Sequence, residues 1–449
     1  MSTRSDGSDV IPTQKLAAEV LEIVEKTNLS AKSVLRDYFK DIEVDYRIRG
    51  SVHAYVTEVL KRRNFIDFIF EKALRSGKIK NINLFIRNLI RIGIYEMYFK
   101  SVAPALATDS AVRIAKEVSP RVAGFVNAIL RNAEKVDVQK ELEKLRESSK
   151  RRYVALKYFH PVWYVKIAEK IAPNYEALLM ANLSQTTYIR INTILTSPEN
   201  SLRNLEKHGV VLEETLLYEV FRIVSYDKPL TVLEGYERDF VIQDLASCLV
   251  SVALNPEPDN IIVDLASAPG SKTGHIASLM ENRGKIIAVD NSKERVERMK
   301  VRLKRLGVEN VEFRIFDGAK FKCKADKALL DAPCSSTGSV RNHPSVKWRY
   351  SPEKFQKLVR LQRKMLANAS DIADEVVYAT CSITFEENEG NLINLNRLFD
   401  VERLELPIGM PGIRKYGKRV FDLAERVVRL YPHVHNTSGF FISKLSVKN

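Results

Sequence analysis

Ile261-Ile262-Val263-Asp264-Leu265-Ala266-Ser267-Ala268-Pro269-Gly270-Ser271-Lys272-Thr273 is the stretch on which the fold turns. A β-branched run closes on an acid, a loop of small residues with Pro and Gly follows, and a helical pattern then resumes. The same unit recurs downstream: Lys285–Asp290, a helix from Lys293 to Leu306, Val311–Asp317, Lys327–Pro333, a long basic helix, and Glu375–Cys381. Such alternation predicts a parallel sheet covered by helices on both faces. Ligands of these sheets bind beyond the carboxyl ends of the strands. Here those ends carry Asp264, Asp290, Asp317, Asp331 and Cys381.

Upstream the pattern changes. Tyr188–Asn192 alternates like a strand, Pro198–His208 reads as a helix, and Gly209-Val210-Val211 begins another strand, which together predict a small α+β unit ending near Gly235. The stretch Glu141–Arg152 is mostly charged and reads as a linker or solvated helix. Before it, Leu16 to Lys144 shows apolar residues at three- and four-residue steps, as in Leu16, Val20, Ile23 and Val24. Gly77 ends one helical pattern, Pro104 precedes a helix expected to start near Thr108 and Asp109, and Pro120 separates two more. The expected segments are 1–148 (all-helical), 149–235 (linker helix and small α+β unit) and 236–449 (α/β).

The 449 residues include 71 Lys and Arg against 56 Asp and Glu, a net charge of +15 that favours a polyanionic partner. Hydrophobic residues at 45% and charged residues at 28% support burial of a core and exclude a wholly disordered chain. The most apolar helix, around Leu84–Phe99, is interrupted by Arg87, Arg91 and Glu96, so no membrane span is expected. The opening Met1–Val10 has no apolar h-region, which gives a cytoplasmic expectation. Cys248, Cys323, Cys334 and Cys381 form no CxxC pair, so the chain is expected to have neither a disulfide framework nor a bound metal. A monomer is expected.

The first loop fails two phosphate-binding patterns. A P-loop needs Gly where Ala266 and Ser271 stand, and a GxGxxG fingerprint is missing because only Gly270 and Gly274 are present. Asp290 does lie near the distance expected of a ribose-binding acid. An adenosine with a small cationic tail, the shape of S-adenosyl-L-methionine, needs carboxylate acceptors but no cradle for a diphosphate. Asp264 serves equally well as a cap of its turn, and Asp317, before Gly318, as a turn residue.

Taken with that loop, several spaced motifs carry a resemblance: Asp331-Ala332-Pro333-Cys334-Ser335-Ser336-Thr337-Gly338, Arg341-Asn342-His343-Pro344 with Lys347-Trp348, and Ala379-Thr380-Cys381-Ser382 followed by Glu386-Glu387-Asn388-Glu389. The chain resembles the RNA cytosine-C5 methyltransferases of the Sun/Fmu (NSUN) family. Arg91–Tyr95 and Phe125–Arg131 are similar to a NusB-like domain, Arg190–Thr193 with Gln243-Asp244 to the family's RNA-facing subdomain, and Arg429–Pro432 with Gly439–Ile442 to its closing strand pair. Departures are Ala266, Ser267 and Ser271, where the family usually has Cys, Ala and Gly.

The resemblance implies a Rossmann-like methyltransferase domain behind an α+β subdomain and an all-α NusB-like domain. Its implied cofactor is S-adenosyl-L-methionine, held by Ala266, Ser267, Ala268, Pro269, Gly270, Ser271, Lys272, Asp290, Asp317 and Asp331. Cytosine C5 is a poor nucleophile until a thiolate adds to C6, and Cys334 and Cys381 end neighbouring strands. Chemistry alone does not rank them. The resemblance implies Cys381 as nucleophile and Cys334 as the group that helps release product, with Asp331 on the cytosine edge and Lys272 supporting it. Arg341–Lys364 holds eight Lys or Arg against one acid, together with Trp348 and Tyr350, a composition suited to phosphate contact and base stacking. The half from Glu353 onward reads rather as a solvated basic helix. His160-Pro161-Val162-Trp163 suits packing as well as binding. The implied partner is structured RNA, small-subunit rRNA ahead of tRNA. The alternative of another class is a non-catalytic NusB-like RNA-binding assembly factor.

Overall fold

The computed structural model describes residues 12–40, 42 and 44–448, so the polar opening stretch lies outside the described residues. Two compact units are present. The first comprises the described residues up to Lys166 together with His343–Arg349, and the second comprises Ile167–Asn342 and the described residues from Tyr350 onward. Residues 149–166 fall in the first unit with the helices, and all three sheets fall in the second.

The first unit is built on α1 (Thr13–Thr27), α2 (Ala31–Tyr38), α3 (Tyr46–Ala73), α4 (Leu84–Phe99), α5 (Pro104–Lys116) and α6 (Pro120–Glu134). Side chains cap the starts: Ser30 accepts from Ser33 N, Asp45 from Arg47 N, Asn83 from Ile86 N and Ser119 from Val122 N. Pro104 and Pro120 occupy the first helical turn, where their missing N–H costs nothing. The helix expected near Thr108 therefore starts four residues earlier, at Pro104 itself. Leu16, Val20, Leu21 and Val24 of α1 pack with Ile66, Ile69, Leu89, Ile90 and Leu130. Arg91 is buried in this core, with Nε 2.6 Å from Asp67 Oδ1 and Nη1 2.6 Å from Glu25 Oε1. The charged stretch forms the helices Val138–Ser148, which buries no residue, and Lys150–Lys157.

In the second unit, β1 (Tyr188–Ile191), β2 (Val211–Glu214), β3 (Val220–Ser225) and β4 (Phe240–Ile242) form an antiparallel sheet in the order β2-β3-β1-β4. Because β4 pairs with β1 through Ile189↔Ile242, this sheet extends past the boundary expected at Gly235.

The large sheet contains β5 (Ile261–Asp264), β6 (Lys285–Asp290), β7 (Val311–Ile315), β8 (Lys327–Asp331), β9 (Glu375–Thr380) and β10 (Phe399–Glu402). After the hairpin β11 (Lys415–Tyr416) and β12 (Arg419–Val420), it is completed by β13 (Val428–Leu430) and β14 (Phe440–Val447). Strands β7, β6, β5, β8 and β9 are parallel neighbours, whereas β14 enters antiparallel between β9 and β10. The sheet is therefore mixed, not wholly parallel. Pleating sends Ile262, Ile286, Leu329 and Val377 against the helices Leu245–Leu254 and Ser271–Leu279. The next residues along, Val263, Leu330 and Tyr378, pack on the opposite face with Met365 and Leu366 of the helix Pro352–Ala369. Strand order reverses between β5 and β8, which puts the expected ligand crevice at the carboxyl ends of those two strands. Among the described residues, no helix is long and apolar enough to cross a membrane.

Candidate active site

Along the carboxyl edge of the sheet the strand ends read Asp317, Asp290, Asp264, Asp331 and Cys381 in spatial order. Asp264 is 1% exposed and accepts from Thr273 Oγ1 at 2.8 Å. Burial pushes its carboxyl up to about 7; the Thr273 bond and Lys272 oppose this, and Asp331 adds to it. Gly270 follows with φ +89, a conformation that suits glycine, and opens the helix Ser271–Leu279. Ser267 is buried and donates its hydroxyl to Val289 O at 3.1 Å, so it anchors the loop to β6. The Ser271 hydroxyl accepts from Arg302 at 2.8 Å. Asp290 is buried, and the bonds it accepts, from Ser292 N at 2.9 Å and Arg295 Nη2 at 2.8 Å, both fall on Oδ1. Asp317 accepts from Ala319 N at 3.0 Å and borders a hollow of about 550 Å³ with Lys320, Leu361, Lys364 and Asn368. Neither Asp290, Asp331 nor either of Cys334 and Cys381 lines that hollow.

At β8 and β9 the catalytic candidates meet. Lys272 Nζ donates to Asp331 Oδ2 at 2.6 Å. Burial lowers the Lys272 ammonium, but the charge and hydrogen bond of Asp331 outweigh it and carry the group above its ordinary value. Cys334 Sγ and Cys381 Sγ are 3.3 Å apart. The hydrogen bond between them holds the Cys381 thiol below its usual range against the effect of burial, aided by a bond to the Ser336 side chain and by Lys272. The same bond, with burial and the charges of Cys381 and Glu387, pushes Cys334 well above that range.

The loops behind the sulfurs are locked by backbone. Gly338 N donates to Cys381 O at 2.9 Å and Gly439 N to Gly338 O at 2.8 Å. A Cβ at Gly338 would stand 2.0 Å from Gly439 O, so only glycine fits. Ser336 adopts φ +57, a left-handed conformation costly for a side-chain-bearing residue.

Part of the motif that resembled an RNA grip is internal scaffolding. Arg341 is 2% exposed and bonds Ser184 O, Thr186 Oγ1 and Asn436 Oδ1. Within the helical unit, Lys347 Nζ donates to Lys61 O at 2.5 Å and Phe159 O at 2.6 Å, and Trp348 Nε1 to Leu60 O at 2.7 Å. The phosphate-contact and stacking roles expected of Arg341, Lys347 and Trp348 are corrected accordingly: their polar groups are spent on the fold. His160 is buried and stacks on Tyr164 at 4.9 Å, a packing arrangement. By contrast, Lys354, Lys357, Arg360 and Lys364 stand exposed on one helix.

Sequence reasoning assigned no role to Glu387, Gln362, Thr337 or Ser382. All four are buried and join a hydrogen-bonded network behind the cysteines. Thr337, Ser382 and Glu387 do lie in the motifs that carry the resemblance, and Gln362 lies in the basic stretch Arg341–Lys364, but none of these motifs says that the side chains are buried.

A family model described as 16S rRNA methyltransferase RsmB/F matches residues 251–446, and the NusB family model matches residues 12–135. The chain is 31% identical over 369 residues to the ribosomal RNA small subunit methyltransferase B of Vibrio vulnificus, an alignment covering 77% of this chain and 83% of that protein. The chain belongs to the RsmB/F methyltransferase family. Its N-terminal part carries the NusB domain. The tRNA (cytosine(72)-C(5))-methyltransferase of Pyrococcus horikoshii is 38% identical over 53% of this chain and 58% of its own length. The chain spans about half the length, or less, of several curated relatives that it matches. The crystal structure of PH0851 superposes with a TM-score of 0.81 at 27% identity, covering 97% of this chain and 99% of that one.

Proposed function

We propose that this protein methylates C5 of cytosine in RNA, with S-adenosyl-L-methionine as methyl donor and Cys381 as the covalent nucleophile. The observation that carries the reading is the pair of sulfurs 3.3 Å apart beside the Lys272–Asp331 ion pair. That set of groups fits ring activation by a thiolate: a lysine in the first turn of the helix Ser271–Leu279 pairs with the acid that ends β8, and the lowered thiol follows β9.

The strand-end acids and the loop fit the cofactor. Asp290 keeps its protein bonds on Oδ1 and so has acceptor capacity for ribose hydroxyls. The loop Ala266–Lys272 and Asp317 complete the site, with Asp331 facing its methionine part. When bound, S-adenosyl-L-methionine supplies the methyl group as electrophile. The chain does the rest. The Cys381 thiolate adds to C6, and its electron pair becomes the C6–S bond. Asp331 and Lys272 meet the N3 edge, where a shared proton offsets the charge delivered to the ring. Once Cys381 is a neutral thioether, its bond and charge no longer hold the Cys334 proton, and only burial and Glu387 still oppose its loss; Cys334 gives that proton to water and takes the proton from C5. The C5–C6 double bond re-forms and Cys381 leaves as thiolate. The base must be flipped from its stack for both faces to be reached.

Small-subunit rRNA is the favoured substrate, because the Vibrio enzyme of that name aligns over most of both chains. A tRNA substrate is the second reading, supported by the higher identity to the archaeal tRNA enzyme. The reaction is assigned to the cytoplasm and to a monomer. Bisulfite sequencing of total RNA from cells with and without the gene is the test. Loss of one 5-methylcytosine signal in small-subunit rRNA is expected; loss in tRNA selects the second reading, and an unchanged profile rejects the activity.

A further inference from the structure

Two thiols 3.3 Å apart, both at the same sheet edge, would be poorly distinguished by position alone. We propose that Glu387 is the positioning residue that keeps the proton shared by the two sulfurs on Cys334, leaving Cys381 as the thiolate. The inference deepens the function proposed above and rests on that reading for its consequence in catalysis.

Glu387 is 0% exposed. Its Oε1 accepts from Ser335 N at 2.8 Å and from Gln362 Nε2 at 2.9 Å, and its Oε2 from Ser335 Oγ at 2.6 Å and from Thr384 Oγ1 at 3.0 Å. Four neutral donors hold the carboxylate, and among the described residues no Lys or Arg forms an ion pair with it. Hydrogen bonds satisfy this buried carboxylate in place of a cation.

Both carboxylate oxygens bind Ser335, the residue after Cys334, while Gln362 Nε2 also donates to Pro333 O, the residue before it, at 2.9 Å. One network thus clamps the backbone on either side of Cys334 and sets a negative charge beside that sulfur. The charged groups around Cys381 are different: Lys272 favours a thiolate there and Asp331 opposes it. Around Cys334 the charges are Glu387 and Cys381, and neither favours ionisation. The buried Tyr378 hydroxyl, which donates to Glu387 O at 2.5 Å, adds no charge. The asymmetry gives the shared hydrogen bond a direction, from Cys334 S–H to the Cys381 thiolate.

The test is differential alkylation of the full-length protein by iodoacetamide at neutral pH, with peptide mass spectrometry reading each cysteine and neither RNA nor methyl donor present. In the wild type Cys381 should be labelled first. In Glu387→Gln, which keeps the size and loses the charge, the ratio of Cys334 to Cys381 label should rise roughly tenfold, the thiolate gain corresponding to one pH unit of titration. Glu387→Asp, which keeps the charge, should restore the wild-type order. An unchanged ratio in a folded Glu387→Gln protein would overturn the proposal. So would equal or inverted labelling in the wild type, a result that needs no variant to fold. Since methylation is not read, a protein inactive on RNA but showing the ratio change would retain this role for Glu387 while losing the function proposed above.

Discussion

Cys334 Sγ lies 3.3 Å from Cys381 Sγ, although 47 residues separate them in the chain. Parallel pairing of β8 with β9 brings Asp331 opposite Ala379 and so delivers both loops to one place. On the proposed reading one sulfur adds to the base and the other releases it, and the first prediction separates those roles.

Cys381→Ser should form no adduct, because a hydroxyl holds its proton too tightly to supply the nucleophile. Cys334→Ser should permit addition but stall elimination, so a protein–RNA complex should survive denaturing electrophoresis when RNA and methyl donor are supplied. Methylation should fall below detection in both. Trapping in Cys381→Ser but not in Cys334→Ser would reverse the two roles.

Asp290→Ala should weaken S-adenosyl-L-methionine binding by about 1.5–3 kcal/mol, the range for hydrogen bonds to a charged group. Titration calorimetry reads this directly, and an unchanged affinity would remove Asp290 from the cofactor site.

Asp264 gives a pH dependence of stability. Burial carries its folded value up to about 7, while an unfolded Asp titrates near 3.9. Between these values the folded chain holds a proton that the unfolded chain has lost. Its contribution is therefore fully present below about pH 4 and is lost as pH rises towards 7, on the order of 4 kcal/mol. Asp264→Asn should flatten this limb in urea titrations at stepped pH. Parallel limbs in the two proteins would mean that Asp264 is ionised in the fold.

Arg91→Met should destabilise the helical unit by about 2–3 kcal/mol, at or below the low end for a broken buried ion pair because Asp67 and Glu25 keep some access to water. A urea midpoint equal to that of the wild type would show the pair to be neutral against an apolar replacement.

The helix Pro352–Ala369, read above as a solvated basic helix, carries the exposed Lys354, Lys357, Arg360 and Lys364, and its basic face is tested as the surface that meets phosphate. Lys357→Ala with Arg360→Ala should weaken RNA binding and reduce the slope of log affinity against log salt by about 0.7–0.9 for each phosphate that is no longer neutralised. Lys347→Met, which alters a buried side chain, should leave that slope unchanged. Equal slopes in all three proteins would place the RNA-binding surface elsewhere.

The sequence by itself determined the elements and the row of strand-end residues. Period-two and period-3.6 patterns, cap residues such as Ser119 and Asn83, and the loop at Gly270 depend on neighbours a few residues away, so they are legible without the fold. It also determined that Asp264, Asp290, Asp331 and Cys381 end strands of one sheet. Only the tertiary structure decided that β14 runs antiparallel between β9 and β10, because strand order depends on long-range pairing. It likewise decided which charges are buried. Glu387 takes partners from 52 and 25 residues away, and Lys347 from 286 and 188, so local composition left the burial of Glu387 unread and suggested an RNA-facing lysine at 347. Burying a charge requires donors or acceptors from distant segments to converge on it, and that convergence exists only once the chain has folded.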